Sequence, residues 1–183
     1  MLSNDPLANV LYVDLSRKRY WVENRRDLFE KHLGGAGAAI QLLHEECPEG
    51  SDPLSAENPI IFAVGPLTAL FPLASKTVAM FKSPHTGNLG ESHAGGRSAV
   101  ALRLAGYGAI VIRGASTMPI YLVVDGDQVH FRDAAALWGV RSAYTIGSVL
   151  RSRESGAAAP PKAWARRRIA AAPPAAGREA RFR

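Results

Sequence analysis

KTVAMFKSPHTGNLGESHAGGRSAVALRLAGYGAIVIRG, residues 76 to 114, sets two apolar, strand-like runs around a polar, glycine-rich loop that opens into a helix. Residues 77–81 (TVAMF) are rich in β-branched and aromatic side chains and read as a strand. The residue before Pro84 is biased away from helix, so residues 83–88 are expected to form a turn-rich loop. Gly95 and Gly96 precede RSAVALRLA, in which Val100, Ala101 and Leu104 recur at helical spacing, with Gly106 as the C-cap. Residues 109–112 (AIVI) form a short continuous apolar run, the pattern of a buried strand.

Working outward, residues 10–14 (VLYVD) and 20–23 (YWVE) flank the polar segment LSRKR and read as a hairpin. Asn24 is placed to cap a helix over residues 25–33, which Gly34 and Gly35 break. A second helix is expected over residues 38–46, with Ile40, Leu42 and Leu43 near one face and Pro48 as its stop. After a loop over residues 48–59, residues 60–64 (IIFAV) read as a buried strand that Gly65 and Pro66 end. Residues 120–124 and 129–131 form a second hairpin across Asp125-Gly126-Asp127, and residues 134–150 supply two short helices around Gly139. The pattern predicts an α+β fold, β-sheets with peripheral helices.

At 183 residues and 47% hydrophobic content, the chain is long and apolar enough for one domain with its own core. Cys47 is its one cysteine, which excludes an intrachain disulfide and any multi-cysteine metal site supplied by this chain alone. No leader pattern and no run near the ~20 apolar residues of a membrane span is present, so a soluble, cytoplasmic protein without membrane contact is expected. The formal charge of +6 is unevenly placed. Residues 1–150 hold 13 Lys+Arg against 14 Asp+Glu, and residues 151–183 hold 9 against 2. The body therefore has no electrostatic footprint for nucleic acid. The tail, RSRESGAAAPPKAWARRRIAAAPPAAGREARFR, has 11 Ala, 8 Arg and 4 Pro and no apolar periodicity. A domain over residues 1–150 followed by a disordered, non-native tail over residues 151–183 is expected.

Two glycine motifs invite functional readings. Gly34-Gly35-Ala36-Gly37 resembles a dinucleotide fingerprint, but the third glycine would fall at Ile40 and the motif follows a helix, so a helix-to-helix connector is the better reading. Glu91-Ser92-His93-Ala94-Gly95-Gly96-Arg97 has glycines that admit close approach to a ligand and a helix start that favours an anion. It serves either to hold a phosphate-bearing ligand or as a tight turn. His85 and His93, with Ser83 or Ser92, complete no zinc or nucleophile-and-base signature. Lys76 and Lys82 bracket the TVAMF strand; either both are solvated, or Lys76, at the strand mouth, is where an anion could be met.

The chain resembles the N-terminal domain of the aldehyde ferredoxin oxidoreductase family, the tungsten- or molybdenum-pterin enzymes. The resemblance is carried by VLYVDLS, HLGGAGAAIQLL, DPLSAENPIIFAVGPLT, KSPHTGNL, SHAGGRSAVALRLAGYGAIVIRGAS and DAAALWG, in family order over roughly residues 8–150. It implies a base domain of β-sheets on which a bis-pterin cofactor, tungstopterin or molybdopterin, rests. It implies two-electron oxidation of an aldehyde or a related carbonyl substrate, with electrons leaving through a four-iron, four-sulfur cluster to ferredoxin. Residue by residue, it implies Lys76 as the basic contact between pterin and cluster, and His93 and Gly95 as pterin contacts. Many members have Arg at the first position and Asn at the second. Lys lacks the bidentate fork of Arg, and His offers a different donor geometry from Asn.

The family's cluster cysteines, further pterin motifs and acid-base residues lie in C-terminal domains without counterpart in this sequence, and one cysteine cannot supply the about four thiolates of such a cluster. The expectation is a fragment with no catalytic residue of its own, inactive alone, from a gene truncated or frameshifted near Leu150. The alternatives are a non-catalytic phosphate- or pterin-binding module and one subunit of a split enzyme. Nucleic-acid binding by the tail would require a steeply salt-dependent affinity lost with residues 151–183.

Overall fold

Residues 10–13 and 109–112 show no apolar-polar alternation because both runs are buried on both faces, the condition for the middle of a covered sheet. The computed structural model describes residues 6–154. The strands are β1 (Asn9–Asp14), β2 (Arg19–Asn24), β3 (Ile60–Val64), β4 (Thr77–Lys82), β5 (Leu89–Ala94), β6 (Ala109–Arg113), β7 (Ile120–Asp125) and β8 (Gln128–Asp133). The helices are α1 (Arg26–His32), α2 (Gly35–Glu46), α3 (Arg97–Leu104) and α4 (Ala143–Glu154), with single 3-10 turns at Pro6–Ala8 and Ala135–Leu137.

β1 and β6 pair in parallel, and every other pairing is antiparallel. The result is a six-stranded mixed sheet in the order β2-β1-β6-β3-β4-β5 and a separate β7-β8 hairpin. β6 enters between β1 and β3 only after β4, β5 and α3, so the end of the segment 76–114 closes the sheet that its beginning extends. The expected class, sheets with peripheral helices, is the one observed.

Register puts Tyr12, Arg113, Ile61 and Met80 on one face of the sheet. α2 packs there over β3 and β4. Polar contacts fasten it: Arg113 Nη1 donates to Glu46 Oε2 at 2.9 Å, and Arg25 donates to the Tyr12 hydroxyl at 3.3 Å and to Glu45 Oε2 at 2.9 Å. Thr77 turns to the opposite face, where its hydroxyl bonds that of Ser98 in the first turn of α3 at 3.1 Å. The β7-β8 hairpin is covered on both sides. Ile120, Leu122, Val124 and Val129 join the main core, while Tyr121 and Val123 pack with Ala134, Ile146 and Leu150. Each fully buried side chain such as Leu11, Leu42 or Ile61 contributes about 1.5–3 kcal/mol through removal from water.

Asn24 does not cap α1. It ends β2, and its amide donates to Asn9 Oδ1 across the hairpin at 3.1 Å, leaving Arg25 at the N-cap position without a side-chain cap. α2 starts at Gly35 rather than residue 38, and it buries Ala38, Ala39, Leu42 and Leu43 while Ile40 lies on its outer side. In α3 the buried residues are Ala99, Ala101 and Leu102, and Leu104 is exposed. Residues 89–94, read as part of a loop, form the edge strand β5, which among the described residues bonds only β4 and so carries little of the apolar alternation that marks a strand. Between residues 134 and 150 the two short helices expected around Gly139 are the 3-10 turn at Ala135–Leu137 and α4. α4 continues four residues beyond the expected boundary at Leu150, and the rest of the expected tail, residues 155–183, lies outside the described residues.

Candidate functional site

β4 and β5 form a hairpin whose closed end is the turn over residues 83–88 and whose open end gathers Lys76, His93 and Gly95. Thr77 stands opposite Ala94, so the next step of the ladder sets Lys76 beside Gly95. A Cβ at Gly95 would lie 4.0 Å from Lys76 Nζ. α3 begins at the same place, with Gly96 as its N-cap at φ +92° and ψ −149°, a conformation closed to residues with a side chain. Gly96 is thus required by the backbone. Gly95 has no positive φ, and its missing side chain instead leaves room beside the lysine.

Glu91 and His93 lie two apart on β5, hence on one face, and His93 Nε2 pairs with Glu91 Oε1. With Nε2 donating to the Glu91 carboxylate, the ring atom left for a ligand is Nδ1, an acceptor in the neutral ring and a donor only in the protonated one. Lys76 adds a point charge with three donors, and Gly96 at the N-cap of α3 offers no side-chain cap. This donor set, exposed and unobstructed at Gly95 and Gly96, fits an anionic group or the acceptor-bearing edge of a heterocycle, both of which a phosphorylated pterin offers. Sequence reasoning named Glu91 in the glycine-rich turn but missed its pairing with His93. That i, i+2 relation carries meaning only once the segment is known to be a strand.

Other candidates are not gathered here. His85 sits at the closed end of the hairpin, where its N–H donates to Ser83 Oγ at 3.2 Å, roughly 17 Å from the open end at the usual rise per strand residue. Lys82 Nζ donates to the Ser51 carbonyl at 2.6 Å, which makes it a tie for the loop over residues 48–59 rather than a ligand contact. Gly34 connects α1 to α2, and a Cβ on it would come within 2.9 Å of the Val64 carbonyl oxygen, so the connector reading holds. Among the described residues, no three or more His, Cys, Asp or Glu side chains converge as a metal site. Cys47 is half-buried with Sγ 3.2 Å from Ser51 Oγ, and as the sequence's one cysteine it does not fit a four-thiolate cluster. No helix among the described residues is long and apolar enough to cross a membrane.

Residues 10–182 match the family model described as aldehyde ferredoxin oxidoreductase, N-terminal domain, a match that runs on into residues 151–182. The chain is 40% identical over 131 residues to the tungsten-containing aldehyde ferredoxin oxidoreductase of Thermococcus kodakarensis, covering 70% of this chain and 22% of that protein. Identity to the enzyme of the same name from Pyrococcus furiosus is 37% over 128 residues, 69% of this chain and 21% of that one. The WOR-like subunit of the aliphatic sulfonate oxidoreductase of P. furiosus is 36% identical over 137 residues, 73% of this chain and 22% of that one. Among solved structures, the chain is similar to one in the active site complex BamBC of benzoyl coenzyme A reductase with 1,5-dienoyl-CoA. That likeness has a TM-score of 0.76 and 32% identity, over 80% of this chain and 23% of the other. The chain spans about a fifth of the length of the relatives it matches. Motif order, mixed sheet and family-model match agree, and the chain belongs to the aldehyde ferredoxin oxidoreductase family through its N-terminal domain.

Proposed function

We propose that this chain is the cofactor-supporting part of a tungsten- or molybdenum-pterin oxidoreductase, its platform lying in residues 1–150, and that Lys76, His93 and Gly95 hold the pterin. The observation supporting this reading is the convergence of the three at the open end of the β4-β5 hairpin, beside the glycine N-cap of α3. Lys76 meets the anionic group, His93 presents Nδ1 while Glu91 engages Nε2, and Gly95 admits the ligand to the backbone. The bound cofactor supplies two-electron oxidation of an aldehyde or a related carbonyl substrate. The thiolates that would carry electrons through an iron-sulfur cluster to ferredoxin belong to polypeptide other than this chain, which is inactive by itself. We place the reaction in the cytoplasm. A second reading, one subunit of a split enzyme or a non-catalytic pterin-binding module, uses the same site.

Titration of the full chain with a pterin bearing a side-chain phosphate, followed through backbone amide shifts, tests the assignment. Gly95, Gly96 and Arg97 are expected to shift. Lys76→Ala is expected to weaken binding about tenfold (~1.4 kcal/mol), the scale of a charge-assisted hydrogen bond, and His93→Ala to weaken it by a smaller factor. Shifts confined to other regions, or unchanged affinity in both variants, would refute it.

A further inference from the structure

The β7-β8 hairpin, the 3-10 turn at Ala135–Leu137 and α4 enclose an apolar cleft of about 400 Å³, whose lining includes Tyr121, Ala134, Leu137, Trp138, Ile146 and Leu150. Its floor is closed: Ile146 is fully buried, and Tyr121 is buried with its hydroxyl donating to Glu154 Oε1 at 2.7 Å. Its mouth stands open, with Trp138 44% exposed and Val140, two residues on, 36%. The volume is that of a ligand pocket, but the chemistry is not that of a site for a polar metabolite. Among the described lining residues only Tyr121 and Trp138 carry polar side-chain atoms, and the Tyr121 hydroxyl is already donated. The cleft therefore suits an apolar or aromatic side chain.

Residues 155–183 lie outside the described residues and follow α4 directly. They hold 7 Lys+Arg against 1 Glu, and their large apolar side chains are Trp164, Ile169 and Phe182. A segment of that composition has no core of its own and is tied down only by an anchor set into surface that the folded part supplies. We propose that Trp164 is the anchor: its indole seats in the cleft beside Trp138 and holds residues 155–183 back against the β7-β8 hairpin. The length of chain suits it. Leu150, on the cleft wall, precedes Glu154 by about one helical turn, and Trp164 follows Glu154 by ten residues, a reach of up to about 33–36 Å. Trp164 is the nearest of the three apolar side chains, and it adds an aromatic contact to Trp138 and Tyr121 that Ile169 lacks. A short tether also keeps it at about millimolar effective concentration, so a contact too weak to join separate molecules suffices. Charge agrees. The hairpin carries Asp125, Asp127 and Asp133, all exposed, against Arg132, and Arg166, Arg167 and Arg168 begin two residues after the anchor. Arg151 and Arg153 of α4 repel the same charge, which directs it to the hairpin side. The family-model match, which runs to residue 182, takes in the same segment.

Limited trypsin digestion of the full 183-residue chain reads the anchor, because the enzyme cuts after Lys162, Arg166, Arg167 and Arg168, which flank Trp164. Cleavage there is expected to be about tenfold or more slower than in a synthetic peptide of residues 155–183, and Trp164→Ala is expected to restore the peptide's rate. Trp138→Ala, at a half-exposed position, is expected to keep the fold and to speed cleavage about threefold or more. Fluorine NMR of the chain carrying 5-fluorotryptophan is the second arm. Its three resonances belong to Trp21, Trp138 and Trp164 and are assigned by single Trp→Phe replacements. The Trp164 resonance is expected away from its position in the free peptide, and Trp164→Ala is expected to move the Trp138 resonance while leaving that of Trp21 in place. Cleavage at the peptide's rate in the wild-type chain overturns the inference, as does protection that survives Trp164→Ala. Protection that Trp164→Ala removes while the Trp138 resonance stays still puts the anchor elsewhere and overturns it too. So does protection that fades on dilution, because the segment of a second copy then fills the cleft.

Discussion

Arg25 shows how much of the molecule one side chain can tie together. Its guanidinium donates to Glu45, Asp27 and the Tyr12 hydroxyl, joining β1, α1 and α2. Hydrogen bonding to Arg25 holds the carboxyls of Glu45 and Asp27 below the usual carboxylate range, and burial pushes the Tyr12 phenol up. A carboxyl whose folded value is lowered adds stability above its unfolded value, and that contribution is lost as pH falls through the folded one. Glu45→Gln is therefore expected to cost up to about 1 kcal/mol at pH 7, and its difference from wild type is expected to disappear in acid, below the ordinary glutamate value of about 4.3. Urea unfolding at a series of pH values checks this; a difference that persists at pH near 2 would show a packing effect instead. Tyr12 runs the other way, its contribution being present below about pH 10 and lost as pH rises through its raised value. None of these partners was legible in the sequence, where Arg25 is only a charge near Asn24.

At the scale of elements, β5 is where the site depends on packing that no periodicity shows. Phe81 lies across the ladder from Gly90, and a Cβ on Gly90 would come within 2.5 Å of Phe81 Cε2 and 2.9 Å of Cδ2. Gly90→Ala is expected to destabilise by about 1–3 kcal/mol in chemical denaturation and, because β5 carries His93, to weaken the proposed phosphopterin binding as well. Unchanged stability would mean that the ring swings aside. Gly108 is more tightly placed. Its N–H donates to the Asn9 carbonyl and its carbonyl accepts from the Val64 N–H, both at 2.9 Å, while an added Cβ would overlap the Leu7 carbonyl oxygen and stand 2.7 Å from Phe29 Cζ. The backbone is held on both sides and has nowhere to move. Gly108→Ala is expected to cost about 3 kcal/mol or more, seen as loss of soluble protein or of the unfolding transition. Strands with aromatic or β-branched runs were readable before the fold was known, as for residues 10–14 and 77–81. β5 was not, because its hydrogen-bond partner defines it.

At the scale of the whole molecule, the β7-β8 hairpin joins two packed regions. Tyr107 donates to the Gly126 carbonyl at 2.7 Å and ties the hairpin to the main sheet, while Ile146 of α4 is fully buried in the smaller cluster on its other side, beside an apolar cleft of about 400 Å³. Ile146→Ala is expected to cost about 2–5 kcal/mol and to speed hydrogen exchange in β7 and β8 well before β1 and β6 are affected. Uniform loss of protection would show the two clusters to be one cooperative unit. The sequence by itself determined the strand and helix inventory outside β5, the α+β class and the family, because burial periodicity, turn chemistry and motif order are local properties of the chain. Only the tertiary structure decided that residues 89–94 are an edge strand and that β6 inserts between β1 and β3. It alone placed Glu91 on His93 and Lys76 beside Gly95. Those relations join residues through sheet register, and register is settled by which strands meet, not by what any one strand contains.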